Sequence, residues 1–140
     1  MGSVRFFSED TDFSLSHPRK TSAWIKAVIT KEKKRLVEVN YIFCTDEYLL
    51  NLNKVFLNHH TLTDIITFDN SAQKGVIEAE IYVSIERVLD NSVKFKVRFD
   101  EELHRVIIHG ILHLMGFKDK KPAEKALMRK KEEACLSLRK

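Results

Sequence analysis

The chain is poor in the residues that punctuate or cross-link a polypeptide: its 140 residues include four glycines, two prolines and two cysteines. So little glycine and proline excludes collagen-like repeats and low-complexity linkers. Cys44 and Cys135 stand far apart and form no CxxC pair, which argues for buried or bystander thiols and against a disulfide scaffold or a zinc knuckle. Long apolar runs are missing too. Even Val106 to Leu114 is interrupted by His109 and His113, so no segment has the length of a membrane span. The opening MGSVRFFSED has no basic region followed by an apolar stretch, and the expectation is a cytoplasmic protein. Neither sign of charge dominates: 24 Lys and Arg against 20 Asp and Glu give +4 and a pI near 9.1, a mild bias towards a polyanionic partner. Basic residues gather as KDKK at 118–121 and RKK at 129–131, either a contact surface or a solvated helix face.

What is present is an ordinary globular composition, 44% apolar and 31% charged, and a length that suits one domain over 1–140. VRFFS at 4–8 reads as a short edge strand. Trp24, Ile25, Val28 and Ile29 share one face of a helix capped by Thr21 or Ser22. LVEVNYIFC alternates Val37, Val39, Tyr41 and Phe43 with period two, a strand. Thr45 caps a second helix that carries Leu49, Leu52, Val55 and Phe56 and ends near Leu57. TDIITFDN at 63–70 and VIEAEIYVS at 76–84, separated by a turn containing Gly75, predict neighbouring strands. Ser84 caps a third helix and Asp100 a fourth, whose buried stripe is Leu103, Val106, Ile107, Ile111 and Leu114. Pro122 starts a last helix, from which Leu127, Leu136 and Leu138 are expected to pack back. The mixture predicts an α/β or α+β sandwich around a small mixed sheet.

HGILHLMGFKD at 109–119 carries the chemistry. His109 and His113 lie one helical turn apart, so both imidazoles leave the same face and can approach one ion. The same pair also fits two buried, hydrogen-bonded histidines. Gly116 can adopt a left-handed conformation that ends the helix and folds the chain back, bringing Asp119 within reach as a third ligand. Two histidines and one carboxylate leave a fourth position open, the arrangement of a catalytic zinc. His104, about 140° around the helix from His109, is not expected to be a ligand. Lys118 and Lys120 keep their protons at neutral pH and read as phosphate contacts or plain surface.

These residues resemble the YbeY endoribonucleases of bacteria, rRNA maturation factors whose pattern near the C-terminus is HGxLHLxGYDH. HGILHLMGF at 109–117 matches it, with Lys118 where the family has Asp and Asp119 where it has the third metal-binding histidine. LNKVFLNHHTLTDIITFDN at 52–70 is similar to the family block LNxxYRGKDxxTDVLSFP, and AEIYVS at 79–84 to its GDIxIS strand. The resemblance covers residues 40 to 119. It implies an α+β fold with a four-stranded mixed sheet and about five helices, akin to metzincin-like zinc hydrolases, with the ligand helix lying across the sheet. It also implies a cytoplasmic, zinc-dependent endoribonuclease, one ion per chain, that cuts single-stranded rRNA on the small ribosomal subunit, at the 3′ end of 16S rRNA, and serves ribosome quality control. A monomer is the starting assumption.

The family block carries an Arg where this chain has Leu57, and His59 and His60 stand where it has Lys and Asp. His59 and His60 are candidate sources of positive charge or proton transfer, against a plain reading as exposed loop histidines. Arg105, one turn before His109, is a candidate for contact with the scissile phosphate, against pairing with Glu101 or Glu102. Two other functions remain open. A zinc peptidase of the HExxH type needs a general base after the first histidine, and Gly110 stands there, which counts against it. A non-catalytic ribosome assembly factor with a structural metal is kept open by Leu57.

Overall fold

A computed structural model describes residues 2–56 and 63–139. Leu57, His59 and His60 lie outside the described residues. The elements run β1 (Ser3–Ser8), α1 (Pro18–Lys31), β2 (Arg35–Cys44), α2 (Asp46–Phe56), β3 (Ile65–Asp69), β4 (Val76–Ser84), α3 (Ile85–Phe95), α4 (Phe99–Leu114) and α5 (Pro122–Ser137). The four strands form one mixed sheet in the order β1-β2-β4-β3. β1, β2 and β4 are parallel, and β3 pairs antiparallel with β4 as the hairpin predicted around Gly75. The fold is therefore α+β, with β1 at one edge and β3 at the other.

Alternation along the strands decides which helices cover which face. Val39, Tyr41 and Phe43 of β2, Ile81 and Val83 of β4 and Ile65 of β3 face the main core, which α1 and α4 fill with Trp24, Ile25, Ile107 and Ile111. Cys44 and Ile66 point to the other face, where Leu49 of α2 covers them. The buried Tyr41 hydroxyl donates to the Ile107 carbonyl at 2.8 Å, fixing α4 to the centre of the sheet. Gly110 lets α4 settle close: a Cβ there would stand 2.9 Å from Ile65 Cδ1. α5 packs on α4, and the Trp24 indole N–H donates to the Cys135 carbonyl at 2.8 Å, tying α1 to its far end.

Most element ends follow the expected signals. The Tyr48 amide donates to Thr45 Oγ1 at 3.2 Å and the Arg87 amide to Ser84 Oγ at 3.1 Å, as N-caps do. Two caps differ. α1 begins at Pro18, whose fixed φ suits a first helical position, so Thr21 is a buried first-turn residue and Ser22 lies inside the helix. α4 begins at Phe99 with Arg98 as its N-cap, which places Asp100 in the first turn beside Glu101 and Glu102, where all three carboxylates favour the helix dipole. Of the three leucines expected to pack back near the C-terminus, Leu136 lies against the core and the other two do not. Leu127 and Leu138 are exposed, Leu136 is half-buried, and the buried positions of α5 are Met128, Glu132 and Cys135.

Candidate metal centre

The C-terminal turn of α4 sets the geometry. The Gly116 amide donates to the His113 carbonyl and the Phe117 amide to the Leu112 carbonyl, both at 3.0 Å, while Gly116 takes φ 103°. This pair of bonds is the Schellman termination that a glycine favours, and it reverses the chain as expected. Phe117 then packs on the core, and the Lys131 ammonium lies 5.0 Å from its ring centre while pairing with Glu32 at 3.3 Å. The reversed segment is thus anchored before it reaches Asp119.

His109 Nε2 and His113 Nε2 lie 3.0 Å apart, and Asp119 Oδ2 is 3.3 Å from each. Ligands about 2.0 Å from a tetrahedral ion stand roughly 3.3 Å from one another, so the three donors form one face of such a tetrahedron. Among the described residues this is the group of His, Cys, Asp and Glu side chains close enough to share an ion. The donor chemistry fits a divalent metal of the zinc class: two imidazole nitrogens, one carboxylate oxygen and a free side facing a cavity.

That cavity, about 440 Å³, is walled by β3 on one side and α4 on the other, with Thr63, Asp64, Thr67 and Asp69 opposite His109, His113 and Asp119. Asp64 is a site residue that the sequence reading treated only as the polar start of a strand. Burial pushes its carboxyl above the usual range, partly offset by the charges of Arg105 and His109. The one signal for it was its match to the Asp of the TD pair in the family block.

Behind the candidate ligands lies a charge chain of which the Arg105–Glu102 pair was expected and Glu132 was not. His109 Nδ1 meets Glu132 Oε2 at 2.5 Å, and Arg105 bridges Glu132, at 3.3 Å, to Glu102. Glu132 is 3% and Glu102 2% exposed, so both carboxylates depend on these partners. Burial acts to raise the Glu132 carboxyl, but the His109 hydrogen bond and the Arg105 charge outweigh it and hold it below the usual range. An ionised Glu132 accepts the proton of His109 Nδ1, which leaves the Nε2 lone pair directed at the ligand triangle. The clue on α5 was a carboxylate in its inward stripe, four residues after Met128 and three before Cys135.

Arg105 therefore engages Glu102 and Glu132, and its guanidinium is turned to the support of His109, with Glu102 being one of the two pairing partners considered from sequence. His104 lies away from the triangle, edge-on to Trp24 at 5.9 Å, as the helical angle required. Lys118 and Lys120 are exposed. Position 110 points into the sheet, so a general base after the first histidine has no room to reach the cavity.

Comparison with known proteins shows the family. The family profile described as Endoribonuclease YbeY matches residues 6–139. Endoribonuclease YbeY of Cytophaga hutchinsonii is 52% identical over 137 residues, covering 98% of this chain and 96% of its own. That of Flavobacterium johnsoniae is 49% identical over 132 residues, 94% of each chain. The solution structure of TM1509 from Thermotoga maritima superposes with a TM-score of 0.64 at 27% identity, covering 96% of this chain and 87% of that one. With the profile spanning nearly every residue, the chain belongs to the YbeY endoribonuclease family.

Proposed function

We propose that this protein is a zinc-dependent endoribonuclease that cuts single-stranded RNA, with ribosomal RNA of the small subunit as its substrate in maturation and quality control. The observation that carries the reading is the triangle of His109 Nε2, His113 Nε2 and Asp119 Oδ2, with edges of 3.0, 3.3 and 3.3 Å, open towards a cavity large enough for a nucleotide. Membership of a family named for endoribonuclease activity supplies the reaction class.

His109, His113 and Asp119 would hold the ion, which when bound supplies Lewis-acid polarisation of a phosphate oxygen and of water. Glu132 fixes the tautomer and ring plane of His109, and Arg105 keeps Glu132 ionised by pairing with it. Asp64 and Asp69 are the described carboxylates on the facing wall outside the ligand set; Asp69 accepts from Ser71, and Asp64 is assigned the exchange of a proton with a group held in the cavity. Among the described residues the cavity is bounded by one helix and one edge strand, a narrow cleft that suits an extended, unpaired strand. His59 and His60 are assigned as further cationic or proton-transfer groups on the segment that precedes Thr63.

The test is to measure metal content and cleavage together on single-stranded and duplex RNA, before and after chelation. The reading expects about one ion per chain, preference for the single strand, and loss and recovery of cleavage with removal and return of zinc. Unchanged cleavage by chelated protein, or cleavage of peptides with none of RNA, overturns it.

A further inference from the structure

Beyond the cavity that faces the ligands lies a second of about the same volume, 440 Å³, and the two share Asp69 and Leu114 as a common ridge. Its walls are the turn between β3 and β4, Lys34 just before β2, and the C-terminal end of α4 at Leu114 and Met115. The Asp69 carboxylate on the ridge is already occupied: Oδ1 accepts from the Ser71 amide at 2.9 Å and from its hydroxyl at 2.6 Å. The turn is held open by Asn70 N–H donating to the Glu78 carbonyl and Arg35 N–H to the Gly75 carbonyl, each at 2.8 Å.

Two lysines line this second cavity, Lys34 and Lys74, and among the described residues neither has a carboxylate within ion-pair distance. Lys34 is half-buried at the rim of this cavity, where its long stem lies along the wall and its ammonium can reach a ligand held there. Leu114 and Met115 offer an apolar platform opposite. Cations on one wall and an apolar surface on the other are what a nucleotide needs, since phosphate and base sit at opposite ends of it.

We propose that this second cavity is a nucleotide subsite for the single strand cut at the metal centre: a neighbouring nucleotide lays its phosphate on Lys34 and Lys74 and its base on Leu114 and Met115. The strand would pass over the Asp69–Leu114 ridge, so that one nucleotide occupies each cavity. The assignment rests on the RNA reading above, and binding can be scored apart from cleavage.

The experiment uses 2′-O-methyl oligonucleotides, which lack the free 2′-hydroxyl, of one and of six nucleotides, with affinity followed across a range of salt. The Lys34→Ala/Lys74→Ala variant is expected to bind the hexamer roughly tenfold more weakly, with a slope of log affinity against log salt shallower by about 0.7, the share of one phosphate on a single strand. Its metal content and its affinity for the mononucleotide should match the unaltered protein, and Lys34→Arg/Lys74→Arg should restore hexamer binding. Arg19→Ala/Lys26→Ala removes the same charge beside Val4 and Phe6 at the opposite edge of the sheet and should change little. Equal affinity and slope in the Lys34/Lys74 alanine variant, an equal loss in the Arg19/Lys26 variant, or no binding of the hexamer by the unaltered protein overturns the subsite. Hexamer binding that depends on the two lysines, in a protein that cuts no RNA, upholds the subsite and removes the endoribonuclease reading instead.

Discussion

His109 Nδ1 and Glu132 Oε2 are 2.5 Å apart, a contact that joins the helix bearing two candidate metal ligands to the last helix of the chain. Because Glu132 also holds Arg105, which holds Glu102, one buried carboxylate serves both the orientation of His109 and the packing of α5 on α4.

The first prediction separates those two tasks. Glu132→Ala leaves His109 Nδ1 without an acceptor and should weaken zinc affinity roughly 10- to 100-fold. It also strips one of two carboxylate partners from half-buried Arg105 and should cost about 1–3 kcal/mol of stability. Glu132→Gln keeps an acceptor for Nδ1–H, so its affinity should lie between wild type and alanine. Competition with a chromophoric chelator and urea denaturation read the two effects. Equal affinities in all three proteins would refute the positioning role.

Gly110 gives a second. Alanine there improves helix propensity by about 1 kcal/mol but presses its Cβ to 2.9 Å from Ile65 Cδ1, the movable end of that side chain, for a net loss on the order of 0–2 kcal/mol. Glutamate, which would complete an HExxH sequence, should fail to give a stable fold and should confer no peptide cleavage, because position 110 faces Ile65 and Ile81. Melting temperatures and a peptidase assay check both. A stable Gly110→Glu protein with peptidase activity would show that α4 is rotated from this description.

The pH dependence of stability turns on His104. Burial, followed by the charge of Arg139, pushes its pKa down from 6.5 to about 4. The unfolded chain then binds this proton more readily than the folded one, so stability present above pH 6.5 is lost as pH falls towards about 4. His104→Gln should lose less stability than wild type between about pH 7 and about pH 5 in urea titrations. Identical losses would exclude His104 as a contributor.

How much of this was legible beforehand depends on which physical signal each residue carries. The strands were read from alternation, since a period of two in Val37, Val39, Tyr41 and Phe43 has few other causes, and β2 and β4 lie where expected. The three ligand candidates were read from one helical turn plus a glycine, and the structure brings them together. Glu132 escaped notice because burying a carboxylate requires partners, and Arg105 and His109 lie on another helix more than twenty residues away. Two of the three leucines expected to pack back failed for the converse reason: Leu127 and Leu138 are apolar, but the face that meets α4 is set by Met128, Glu132 and Cys135. The start of α4 was misplaced by two residues because three consecutive carboxylates, Asp100 to Glu102, all suit its first turn.

Asp64 supplies a fourth prediction. Asp64→Asn keeps the shape of the cavity wall but removes the proton-exchanging group, so single-strand cleavage should fall roughly 100-fold while zinc content stays at wild-type level. Loss of metal together with activity would mean that Asp64 acts on the ligand set rather than on the reaction.

The most direct measurement takes Asp119→Ala beside the wild type and records zinc per chain and single-stranded RNA cleavage in the same preparations. The account predicts about one ion and cleavage in the wild type, and in the variant a large drop in zinc affinity with cleavage nearly abolished. Full zinc occupancy and wild-type cleavage in Asp119→Ala would contradict it.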